Sequence, residues 1–147
     1  MKKFQFRLQK LLQLRQHRKL ERQKKLAKAE RLRRVEEAHL ESLGQRLERE
    51  QQRPRANQDG SLNVSLLQQS VRYQERLKQD QGVQKQMVAR ARENEARRRE
   101  ELLAAAIKEK VFLKLRERRQ DQYHADLERR DQKETDEIAI QQFLHKQ

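Results

Sequence analysis

The sequence predicts an all-α protein, an antiparallel two-helix coiled-coil hairpin whose C-terminal helix is the longer of the two. Three observations carry that expectation. Charged residues make up 41% of the 147 and hydrophobic residues 33%, with aromatics at 4% and no Trp, too little to build a compact core. The chain has one proline and three glycines, so little interrupts a helix. The punctuation that exists is concentrated in RPRANQDGSLN, residues 53–63.

The first helix is expected over about residues 4–52, a stretch without proline and with Gly44 as its one glycine. Leu26, Ala29, Leu40, Leu43 and Leu47 fall on a single ladder of alternating three- and four-residue steps, with Arg33 and Glu36 as polar rungs. Pro54 stops this helix, and Asp59-Gly60 favours a turn in a loop of about residues 53–63. Ser65, with Gln68 three residues on, has the spacing of a capping box. Helical composition then runs over about residues 64–144. At 1.5 Å per residue the two helices are about 75 and 120 Å long, and so short a loop makes them antiparallel neighbours. The whole chain, residues 1–147, is read as one coiled-coil hairpin.

With residues 53 and 64 flanking the turn, facing residues have numbers that sum to about 117. Leu47 then faces Ser70 and Val71, Leu40 faces Leu77, and Leu26 faces Ala91. The apolar opening row of Phe4, Phe6, Leu8, Leu11, Leu12 and Leu14 falls opposite residues 102–115, the densest apolar patch of the second helix. The leucine-poor segments 15–25 and 92–102 also face each other. Beyond about residue 115 the second helix has no partner in its own chain, yet it still carries Tyr123, Leu127, Ile138, Ile140, Phe143 and Leu144. Such an overhang is expected to dock on another molecule.

The net charge of +14 implies an acidic partner, and it is unevenly placed. Residues 1–31 hold twelve Lys and Arg against two Glu, whereas residues 117–147 hold six basic and eight acidic residues. The absence of cysteine leaves no disulfide framework and no thiol chemistry. His17, His39, His124 and His145 are scattered singly, and Gly44, Gly60 and Gly82 are too far apart to form a phosphate-cradling loop. No catalytic, cofactor-binding or metal site is expected, and the protein is not read as an enzyme. The longest purely apolar run, residues 102–107, is too short to span a bilayer, so the reading is cytoplasmic. Two alternatives use the basic start. One is a coiled coil binding nucleic acid through phosphate contacts along residues 2–31. The other is a membrane-surface helix with Phe4 and Phe6 as wedges.

Three stretches together carry a family resemblance. KFQFRLQKLLQLR opens the chain, VSLLQQSVRYQERL follows the loop, and DQKETDEIAIQQF lies near the end. In these, and in length and layout, the sequence resembles the flagellar export protein FliJ family, which has counterparts in injectisome type III secretion, so an injectisome stalk is the alternative within the same class. The resemblance implies a non-enzymatic stalk, similar to the gamma subunit of rotary ATPases, that binds and promotes the hexameric flagellar export ATPase. It further implies contact with the cytoplasmic domain of the membrane export gate and with export chaperones. No nucleic acid is then expected, and any membrane association is indirect, at the cytoplasmic face of the flagellar base. Carried onto this chain, the ring-binding residues are Phe4, Phe6, Leu8, Leu11, Arg15, Arg18, Tyr123, Leu127, Ile138, Ile140 and Phe143. The gate-binding residues are Leu43, Leu47, Tyr73 and Leu77. The chain departs from the family pattern after Tyr73, where Arg76 and Asp80 stand in place of an aromatic and a leucine.

Overall fold

The structure, a computed structural model, describes residues 3–54, 60 and 63–144. It contains two helices, α1 (Gln9–Gln52) and α2 (Val64–Leu144), packed as a helical hairpin with the second helix longer. Late residues of α1 meet early residues of α2, as Glu50 does Ser70, so the pairing is antiparallel. The helices pack as two compact units, Met1–Leu20 with Leu103–Gln147 and, separately, Glu21–Leu102.

In the Glu21–Leu102 unit the expected ladder is the packed seam. On α1 the covered positions step through Arg22, Leu26, Ala29, Arg33, Glu36, Leu40, Leu43, Leu47 and Glu50. On α2 they step through Leu67, Ser70, Gln74, Leu77, Gln81, Gln84, Val88, Ala91, Glu95, Arg98 and Leu102. Both keep a strict three-four alternation, the heptad repeat of a coiled coil. Ala29, Leu43, Leu77, Val88 and Ala91 are buried, and so are Gln84 and Glu95. Buried polar groups are tolerated only when hydrogen-bonded. Gln84 Nε2 donates to the Glu36 carbonyl oxygen at 3.0 Å and to its carboxylate at 2.5 Å. Arg33 donates from Nε to Glu95 and from Nη1 to Glu37 at 2.5 Å. A seam so interrupted gains less from apolar burial and more from register-specific pairing.

In the other unit the seam runs through Leu12, Arg15 and Lys19 on α1 and Ala105, Glu109 and Phe112 on α2. Leu12 is fully buried at 0% exposure, and Glu109 is buried against Lys19 at 2.7 Å.

Four expectations are corrected in detail. The first helix begins at Gln9, not near residue 4. Residues 3–6 are extended, and the Gln9 amide closes a turn on the Phe6 carbonyl oxygen at 3.0 Å. The strict alternation of Lys3, Gln5 and Arg7 with Phe4, Phe6 and Leu8 has the two-residue period of extended chain, and burial follows it: exposed, then half-covered. The cap of α2 is Asn63, whose Oδ1 accepts from the Ser65 and Leu66 amides at 3.1 and 3.3 Å. Ser65 is already inside the helix, so the box built on it does not form.

The register also differs. Glu50 with Ser70 and Glu36 with Gln84 sum to 120, but Arg33 with Glu95 and Lys19 with Glu109 sum to 128. Side chains lean toward the N-terminus of their own helix, in opposite directions here, so long pairs join residues of higher number than short ones. Leu14 and Leu103, expected to face each other, are instead exposed. Phe4 reaches Tyr123, beyond the expected limit near residue 115, because extended chain advances about 3.3 Å per residue against about 1.5 Å in a helix, and Tyr123 and Leu127 are half-buried. From residue 128 to 144 every position is exposed.

In the turn, Gly60 has a φ of +74°, which strains any residue with a Cβ, while Asp59 lies outside the described residues.

Candidate partner-binding site

All eleven residues expected at a partner ring lie in the unit formed by Met1–Leu20 and Leu103–Gln147. They fall into three groups. Phe4 and Phe6 form an extended arm laid along α2, Leu8 follows in the turn that leads into α1, and all three are half-buried. The Phe4 and Tyr123 rings are 5.7 Å apart at 51°, a tilted aromatic pair. Tyr123 in turn meets the His124 ring edge-on at 5.7 Å. Arm and helix enclose a groove of ≈ 870 Å³, lined by Phe4, Phe6, Leu8, Leu115 and Tyr123 with Lys3, Arg7, Arg119 and Asp126 among its polar residues. Apolar walls with a mostly cationic rim suit an apolar group attached to something acidic.

The second group is the α1 surface. Leu11 is exposed at 40%, and Arg18 is exposed. Arg15 is on the seam instead, with its guanidinium 5.8 Å from the centre of the Phe112 ring. Its Nε is buried without a hydrogen bond among the described residues, so the ring face stands in as its partner. Arg22 likewise pairs with Glu101 at 2.5 Å. Three of the cations from the basic start, Arg15, Lys19 and Arg22, are therefore occupied in packing, and Arg18, Lys24 and Lys25 are among those that stay exposed.

The third group is the helix end. Ile138, Ile140 and Phe143 are exposed, Phe143 at 66%, with Leu144 beside them. Leu127 is half-buried one turn beyond Tyr123.

The residues expected at an export gate lie in the Glu21–Leu102 unit. Leu43 and Leu77 are buried in the seam and Leu47 is half-buried, so Tyr73 is the one that presents free surface. Ion pairs shape the electrostatics of this unit. The hydrogen bond from Arg92, opposed by some burial and aided by Arg33, holds the Glu37 carboxyl below the usual carboxylate range. The hydrogen bond from Arg98, with help from Arg22, does the same for Glu101. The bond to Glu95 raises the Arg33 guanidinium above its ordinary value.

Sequence reasoning overlooked a further apolar surface: Leu32, Val35, Val83 and Met87 are all exposed. Each sits one position before a seam rung, which was the signal available.

Among the described residues no group of three or more His, Cys, Asp or Glu is placed to hold a metal ion. No helix there is long and apolar enough to cross a membrane.

The fold and these surfaces define a class: a coiled-coil hairpin that presents apolar side chains along an arm and at a helix end. Residues 4–147 match the family model described as "Flagellar FliJ protein". The chain belongs to that family, and is thereby a flagellar export-related component. No curated protein and no solved structure matches it.

Proposed function

We propose that this protein is a non-enzymatic stalk of the flagellar type III export apparatus. It binds the hexameric export ATPase, promotes its activity, and links it to the cytoplasmic domain of the export gate and to export chaperones. The observation that carries the reading is the exposed apolar end of α2, Ile138, Ile140 and Phe143, in the same unit as the Phe4–Leu8 arm. Seventeen successive exposed positions, 128–144, gain little from their own chain, and a single helix is marginal in water without a partner. Insertion into a ring supplies that partner. Phe4, Phe6, Leu8, Leu11, Arg18, Tyr123 and Leu127 would then flank the inserted end, with Arg15 holding Phe112 beneath them. Tyr73 is the residue we assign to gate contact, since Leu43 and Leu77 are consumed by the seam. The place of action that follows is the cytoplasmic face of the membrane at the flagellar base.

Co-purification with an untagged export ATPase tests the proposal. Capture of the ATPase by the intact protein, lost on changing Ile140 and Phe143 to Ser, supports it. Equal capture by both forms refutes the assignment of the helix end.

A further inference from the structure

The Glu21–Leu102 unit has two unlike faces. Glu37 and Arg92, joined at 2.8 Å, each stand one position after a seam rung. In an antiparallel pair such positions share one side of the seam, and positions one before a rung share the other. The second side carries Leu32 and Val35 from α1, and Val83 and Met87 from α2. All four are exposed, Val83 at 63% and Met87 at 42%. Around them the same side carries exposed Lys25, Lys28, Arg76 and Arg90, with Asp80 and, at the end of the unit, Glu21 as acidic exceptions. An apolar strip framed by cations fits an amphipathic helix whose rim is acidic.

This chain contains such a helix. Ile140, Phe143 and Leu144 follow one another at helical spacing, and Asp136 and Glu137 precede Ile140 by one turn on the same face. Residues 131–144 hold four acidic residues and one lysine. We propose that the α2 end of one copy docks on the Leu32, Val35, Val83 and Met87 strip of a second copy. The cationic rim repels a second copy of itself, so the contact joins unlike surfaces, head to tail. Such a contact forms rings where its rotation closes and open chains where it does not, and either grows as concentration rises. An ATPase ring that takes the helix end competes with it, so self-association stores the protein in a form that the ring dissolves. This last step rests on the stalk reading; the docking itself does not.

The test uses the full chain in two variants and sedimentation velocity. One, Val83→Glu with Met87→Glu, spoils the strip; the other, Ile140→Ser with Phe143→Ser, spoils the end. All four positions are exposed, and circular dichroism should confirm unchanged helix content. The unaltered protein should show concentration-dependent association that weakens as salt rises from about 0.05 to 0.5 M. Each variant alone should associate at least about tenfold more weakly, as expected for lost interface anchors. Mixed together, they should form a one-to-one complex, because each supplies the surface the other lacks. A protein that stays monomeric throughout overturns the proposal. So does a mixture that stays monomeric, which would mean a contact between like surfaces. Failure to co-purify with the ATPase would leave this mixing result untouched.

Discussion

The arm and the helix end carry the same kind of side chain in opposite circumstances. Phe4, Phe6 and Leu8 are half-covered by α2, and Phe4 rests on Tyr123. Ile138, Ile140 and Phe143 are covered by nothing in the chain's described residues. Apolar surface that a protein covers itself contributes to its own stability; surface left open contributes only when a partner arrives. The two sets should therefore separate cleanly into residues whose loss costs folding and residues whose loss costs binding.

The widest separation is expected at Leu12, the fully buried rung beneath the arm. Leu12→Ala should lower stability by about 2–3 kcal/mol, the lower part of the range for buried leucines, because a two-helix seam can partly collapse. Thermal or urea unfolding followed by circular dichroism measures it. A smaller loss is expected at the arm. Phe4→Ala should cost about 1 kcal/mol, since the ring is half-covered. Phe143→Ser should change stability by less than about 0.5 kcal/mol, as for an exposed site. Equal costs at Phe4 and Phe143 would erase the comparison.

Acid should weaken the Glu21–Leu102 unit through Glu37 and Glu101. Their carboxyls are held low by Arg92 and Arg98, so the ionised form favours the folded state. That contribution is complete above the unfolded value of about 4.3 and is lost as pH falls through the lower folded values. The melting midpoint should fall over this acid range, and less steeply once both residues are changed to Gln. The smallest effect is a gain. A Cβ at Gly82 meets nothing within 4 Å, so Gly82→Ala should add up to about 1 kcal/mol from helix propensity alone.

Much of this architecture was legible because the heptad survives its polar rungs. Leu26 to Leu47 read as one ladder even with Arg33 and Glu36 inside it, and the structure buries that ladder. Register was harder. It depends on how far arginine, lysine and glutamate reach along the seam, which spacing does not encode. The packing roles of Arg15 and Arg22 were not legible, because a cation on a ladder position reads as solvated until its ring or carboxylate partner is known. The arm was misread for a different reason. Helix formers around Phe4–Leu8 outweighed a two-residue alternation only six residues long, yet residues 3–6 are extended and burial follows the alternation through Leu8. The exposed end of α2 was visible throughout, as apolar residues with nothing left in the sequence to face them.

The central claim is that Ile138, Ile140 and Phe143 belong to a partner and not to the fold. Changing all three to Ser and measuring circular dichroism alongside the rate of the export ATPase tests it in one preparation. The account predicts unchanged helix content and melting with stimulation of the ATPase abolished. Lost helicity would make these residues part of the core, and full stimulation with full helicity would place the ring contact elsewhere on the molecule.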